Sequence, residues 1–269
     1  MELWQALILG IVEGLTEYLP VSSTGHLLVV QRMLGIPESD AANAYAIAIQ
    51  AGAIVAVLGL YRRRVAQMAL GVAGRDAPGA KLAMCVVVAF VPAAIVGLAL
   101  DDIIEGYLFG PWPIVAAWVV GGLVILWFAR RKPGAEGLAI EGLTWRSALI
   151  IGAIQCIAMW PGVSRSLATI LGGVLVGLSL PAAVEFSFLL GLVTLGAATA
   201  YKTLQHGDTM LEAYGPLAIA VGFVAAWLAA IASVRFMVAW LNERGLGLFA
   251  WWRFGAAAVV ATMVLAGLL

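Results

Sequence analysis

Glu13 and Glu17 open the stretch EGLTEYLPVSSTGH in a chain that is otherwise nearly all apolar. On a helix, a spacing of four puts both carboxylates on one face. Two like charges in a low-dielectric setting repel, so the pair asks for a cation between them or a shared proton. Oxygen-rich surroundings suit a divalent magnesium or calcium ion better than zinc. The residues alone leave metal and proton both open. Ser22, Ser23 and Thr24 follow Pro20 and precede Gly25. That order lets the chain turn tightly and present hydroxyls and free N–H groups to an anion at a helix start. His26 comes next, and beside a phosphorus centre it has the chemistry of a nucleophile or proton donor.

A second polar break, WPGVSRS, places Arg165 between Ser164 and Ser166. An arginine at membrane depth demands an anionic partner, ideally one gripped by two parallel bonds. Two carboxylates, hydroxyl-lined turns, one arginine and one histidine suit phosphoryl transfer or phosphate-ester hydrolysis.

The elements that position these residues must lie in a membrane. Of 269 residues 63% are hydrophobic and 11% charged, against about half and about a quarter in soluble domains, and mean hydropathy is +1.03. A net charge of zero gives no sign of a nucleic-acid partner. Cys85 and Cys156 sit in apolar runs and read as small buried hydrophobes. No signal peptide is expected, because the first residues carry Glu2 and Glu13 and no basic cluster.

Six stretches read as full spans, roughly 41–60, 80–100, 111–129, 181–201, 214–241 and 247–269. Two further regions, roughly 3–34 and 146–180, are interrupted mid-way by the polar, proline-containing breaks, and predict hairpins that enter the membrane and return on one side. Arg62, Arg63, Arg64, Arg75 and Lys81 crowd one loop, and Arg130, Arg131, Lys132 and Arg146 another. Asp101, Asp102 and Glu105, then Asp208 and Glu212, mark opposite loops. The positive-inside rule makes the basic loops cytoplasmic, with Arg244 and Arg253 placing the last loop there too, and both termini outside. Glu185 and Arg235 read as structural ion-pair or interfacial residues, and Trp4, Trp112, Trp145, Trp251 and Trp252 as an interfacial belt.

Each half then holds one hairpin and three spans, an odd number that inverts the second half. A shift of 142 positions aligns Glu13 with Gln155, Ser22 with Ser164, Thr24 with Ser166 and Asn43 with Glu185. The expected fold is an all-α polytopic membrane protein, one domain over 1–269, with an inverted-topology repeat of about 1–132 and about 141–269. Broken helices in such folds meet near the midplane and form a site. Secondary transporters share that architecture, so transport, with the same residues binding the cargo's headgroup, is the competing expectation; His26 and the glutamate pair favour catalysis.

The stretch EGLTEYLPVSSTGH and the later PGVSRSLAT resemble the bacterial undecaprenyl-diphosphate phosphatases, the bacitracin-resistance family. That family is characterised by an (E/Q)xxxE motif, a nearby histidine and PGxSRSxxT. Here Glu13, Glu17, His26, Pro161, Gly162, Ser164, Arg165, Ser166 and Thr169 fill every fixed position. The resemblance implies removal of the terminal phosphate from a polyprenyl diphosphate to yield the lipid carrier of envelope polymers, and it makes a polyprenyl phosphate the cargo of the competing transporter or flippase. It also implies a divalent cation (magnesium or calcium), a bacterial inner-membrane location and a site open to the periplasm. By carry-over, Glu13 and Glu17 handle metal or proton and Arg165 clamps the diphosphate. Ser22, Ser23, Thr24, Gly25, Gly162, Ser164, Ser166 and Thr169 line the phosphate pocket. The preferred nucleophile is His26, with Ser23 its main competitor. Membrane lipid must surround the substrate tail, which predicts a lateral gap between spans. A homodimer is left open.

Overall fold

The computed structural model describes residues 1–130 and 137–269, with the side chains of 101–103, 105 and 242 excluded. Arg131 and Lys132, and the side chains of Asp101, Asp102 and Glu105, therefore lie outside the described residues. Most of the rest is helical: α1 (Leu3–Thr16), α2 (Ser23–Met33), α3 (Asp40–Leu60), α4 (Arg62–Val72), α5 (Ala77–Leu108), α6 (Pro111–Arg130), α7 (Trp145–Gln155), α8 (Arg165–Leu175), α9 (Leu180–Arg244) and α10 (Gly247–Leu265). Five of these, α3, α5, α6, α9 and α10, contain stretches long and apolar enough to cross a membrane. The chain is an all-α, multi-pass membrane protein.

One expectation is corrected. The fourth and fifth spans are two helices that meet at a kink at Gly215 and share the label α9, and the segment around Asp208 and Glu212, expected as a loop, is helical. Between 201 and 214 only Gly207 disfavours a helix. The break comes later, at Gly215, whose φ of 72° and ψ of 159° are followed by Pro216. Contacts with α3 show that the run folds back there. Arg64, Tyr61 and Ile47 meet Glu185, Phe188 and Thr199 in antiparallel order. Tyr45 and Gly52 meet Ala218 and Phe223 in parallel order.

Both interrupted regions return to the level at which they start. Gln5 Nε2 donates to the carbonyl of Leu34 at 3.0 Å, tying the entry of α1 to the exit of α2. Leu138 and Gly177 (2.8 Å), then Ser179 and Leu138 (3.0 Å), do the same for α7 and α8 through their backbones. The first pair begins beside the N-terminal end of α3. The second ends beside its C-terminal end, where Arg64 pairs with Glu185 at 2.8 Å. The two hairpins thus enter from opposite ends of the bundle, and Glu185 takes the structural role expected of it.

Lipid offers little hydrophobic reason for helices to associate, so close backbone approach and internal hydrogen bonds carry the packing. A Cβ on Gly10, Gly14 or Gly52 would overlap the backbone of α9, which α1 and α3 grip from two sides. Arg253 is a second correction. Instead of marking a cytoplasmic loop, it lies in α10, fully buried. Its guanidinium donates to the carbonyls of Pro20 (3.0 Å), Ala117 (3.0 Å), Gly162 (2.6 Å), Val163 (3.2 Å) and Trp118 (3.3 Å). Gly121 leaves the room it occupies. One side chain therefore satisfies exposed carbonyls of both hairpin breaks at once.

Candidate active site

The two breaks are built alike. Ser22 and Ser164 are the described non-glycine residues with positive φ, 74° and 77°, a region β-carbons make costly. Each caps the helix that follows: Ser22 Oγ accepts from Gly25 N at 3.5 Å and Ser164 Oγ from Leu167 N at 3.2 Å. The breaks also hold each other. Gly162 N donates to Ser22 Oγ at 3.1 Å, and Ser166 Oγ to the carbonyl of Leu19 at 2.9 Å.

This crossing brings Arg165 to Glu17. Arg165 Nη2 donates to Glu17 Oε1 at 3.0 Å and Nη1 to the carbonyl of Ser187 at 3.1 Å, while Nε is buried without a partner. Its guanidinium lies 5.4 Å from the centre of the Tyr18 ring, and Gly191 leaves the space for it. Glu17 Oε2 accepts from the hydroxyl of Ser23 and from Gln50 Nε2 at 3.1 Å. Glu13 is 1% exposed, and its Oε1 has no partner.

Two adjoining cavities open on this group. One of about 220 Å³ carries the polar groups, Glu17, Ser22, Ser23, Thr24, Ser164 and Arg165, beside apolar ones such as Phe109, Trp160 and Leu195. A mainly apolar one of about 590 Å³ runs between α2, α3, α5 and α9, with Glu13 and Ser23 at its polar end and Phe90, Leu98, Phe109 and Leu195 along it. Thr24, Gln50 and Thr194 border both. The pair can hold a compact anionic head and the start of an apolar tail.

Most, though not all, of the expected site residues meet there. His26 does not. It faces α6 and α10, its Nδ1 2.7 Å from the carbonyl of Ser22 and its Nε2 accepting from Trp252 Nε1 at 3.0 Å. Its ring lies 4.8 Å from that of Trp118, and it borders neither cavity. Both ring nitrogens are thus occupied by groups outside the cavities. Thr169 stands behind the site, its Oγ1 2.7 Å from Ser187 Oγ and 2.9 Å from the Arg165 carbonyl, where it steadies the arginine. Ser166 and Gly162 tie the breaks together, and Gly25 packs on Trp118. Gln50, Gln155, Thr194 and Ser187 were missed. Only Gln155 had a signal, its alignment with Glu13.

The carboxylate pair fits an oxygen-seeking divalent cation through one observation: a buried Glu13 oxygen lacks any protein partner beside a second carboxylate. Among the described residues no cluster of three or more His, Cys, Asp or Glu forms around it.

The family model described as bacitracin resistance protein BacA matches residues 6–259. The chain belongs to this family. It is 42% identical over 264 residues to an undecaprenyl-diphosphatase of Ectopseudomonas mendocina, covering 97% of this chain and 94% of that protein. It is 44% identical to one of Azotobacter vinelandii, with the same coverage. One from Sorangium cellulosum is 42% identical, covering 96% of this chain and 85% of its own length. In this member of the BacA family, both motifs converge on the polar cavity.

Proposed function

We propose that the chain hydrolyses undecaprenyl diphosphate to undecaprenyl phosphate and inorganic phosphate, with Ser23 as nucleophile and Glu17 as its base. One observation carries the mechanism: the Ser23 hydroxyl donates to the buried Glu17 carboxylate inside a polar cavity whose other wall is Arg165. A serine hydroxyl is a weak nucleophile until an adjacent base takes its proton.

The diphosphate head occupies the 220 Å³ cavity, held by the hydroxyls of Ser22, Thr24 and Ser164 and by the unpaired Nε–H of Arg165. The tail leaves along the apolar cavity towards lipid. Ser23 Oγ attacks the terminal phosphorus and its proton passes to Glu17. The bond to the bridging oxygen breaks, and undecaprenyl phosphate departs. With that proton lost from Glu17 to the departing product, water attacks the phosphoserine, and Glu17 takes a proton from the water and passes it to Ser23 Oγ as phosphate leaves. Arg165 stabilises the negative charge gathering on the phosphoryl oxygens. Glu13, with Glu17, would hold a divalent cation, which when bound supplies further positive charge to those oxygens. His26 acts here as a positioning residue, its Nδ1–H holding the carbonyl of Ser22 at the start of α2.

The cavities face the end of the bundle opposite Arg62, Arg63 and Arg64. By the positive-inside rule that end is periplasmic in a bacterial inner membrane. We also read the two halves as an inverted repeat. In support, α2 and α8 begin 142 positions apart and end 142 positions apart, as do the serines of positive φ.

Rapid-quench with terminally labelled substrate tests the mechanism. An acid-stable, alkali-labile phosphoenzyme that is absent in Ser23→Ala is the expected result. The opposite lability would return the nucleophile to His26, and no phosphoenzyme at all would point to direct attack by water.

A further inference from the structure

At the end of the bundle away from the catalytic cavities lies a third cavity, of about 730 Å³, lined by Gly59, Leu60, Tyr61, Arg62, Arg63, Arg64, Gln67 and Arg235. Four arginines converge on it and no carboxylate lines it. Arg64 is spoken for, paired with Glu185 and Glu141 at 2.8 Å each. Arg62, Arg63 and Arg235 make no ion pair among the described residues.

Orientation in the membrane accounts for arginines in a loop, but it needs only their number. It does not require that one from α9 join three from the start of α4 around a single space. Arg235 lies nine residues before the end of α9, in an otherwise apolar stretch. It is exposed, as are Arg62 and Arg63, so the cluster presents unneutralised donors to an anion at that surface. Mutual repulsion of the arginines favours an anion between them.

The position indicates which anion. The cavity sits where α3 ends and α9 passes, and on those helices Val55, Leu58 and Phe236 are exposed large hydrophobics. A phosphate in the cavity would therefore have acyl chains available to lie along lipid-facing helix surface. We propose that this is a binding site for the phosphate headgroup of an anionic phospholipid, in the leaflet opposite the one that supplies the substrate. The site rests on the fold, and only the naming of its leaflet rests on the substrate and orientation proposed above.

The test is native mass spectrometry of the full chain in detergent, titrated with phosphatidylglycerol and phosphatidylcholine at equal concentration. Wild type is expected to retain the anionic lipid about tenfold more. The triple variant Arg62→Gln, Arg63→Gln, Arg235→Gln loses that preference, and the corresponding triple lysine variant keeps it. Phosphatase activity in detergent stays near wild type in both, which shows that they are folded. Arg235→Gln alone carries the test should the triple variant not fold. No preference in wild type, or a preference that survives the glutamines, overturns the site. Inorganic phosphate that displaces phosphatidylglycerol at equal concentration assigns the cavity to a free anion and overturns the headgroup.

Discussion

Each oxygen of Glu17 has a different partner: one is held by Arg165, the other takes the Ser23 hydroxyl and Gln50. Removing either member of the nucleophile–base pair should therefore strike the chemical step. Ser23→Ala and Glu17→Gln are each expected to lower kcat on the order of a thousandfold with a much smaller change in KM. His26 gives a sharper contrast. Asparagine can place a donor where Nδ1 stands, so His26→Asn should retain clearly more activity than His26→Ala if the ring only positions Ser22. Equal and complete loss in both variants would instead restore a chemical role. The orphaned Glu13 oxygen sets the metal prediction: EDTA should abolish phosphate release, magnesium or calcium should restore it, and Glu13→Gln should raise the cation concentration needed for half-maximal rate.

Among the elements, α10 reaches furthest into the site without lining it. Arg253 neutralises the carbonyls of both breaks from behind. Arg253→Met leaves several buried acceptors without a donor, at about 1–3 kcal/mol each. The expected result is a clear fall in Tm together with lost activity, with Arg253→Lys intermediate in both. Gly191 offers a gentler perturbation. A methyl there would press on the Arg165 guanidinium, so Gly191→Ala should reduce kcat/KM by about tenfold or more with little change in Tm. A variant with normal kinetics would show that Arg165 works from another position.

Over the whole molecule, two oppositely entering hairpins put a polar cavity inside the bundle and leave an apolar one beside it. That arrangement keeps the head of a lipid substrate among hydroxyls while its tail stays in oil. Ala94 lines the apolar cavity. Ala94→Trp is expected to raise KM for a C55 diphosphate about tenfold while changing it little for a short-chain diphosphate, measured in the same detergent. An equal effect on both lengths would mean that the tail takes another route.

What could be read along the chain was whatever rests on local pattern. The membrane class follows from apolar runs, the hairpins from Pro20 and Pro161 within them, and the phosphate chemistry from residue types clustered within fifteen positions. The shift of 142 positions even brought the two serines of positive φ into register. Orientation and long-range pairing were not legible. Which face of α2 meets the cavity depends on its packing against α6 and α10, and this turned His26 towards Trp118 and Trp252 and left Ser23 facing Glu17. Arg253 looked like a loop cation because nothing near it in sequence reveals the carbonyls of Pro20 and Gly162 it would meet. The bend, by contrast, has a local cause in Gly215 and Pro216, and it fell beyond the expected loop because the residues before it are good enough helix formers to continue α9. Residue chemistry is a property of sequence, but which groups face each other is decided by helices packed from far apart in the chain.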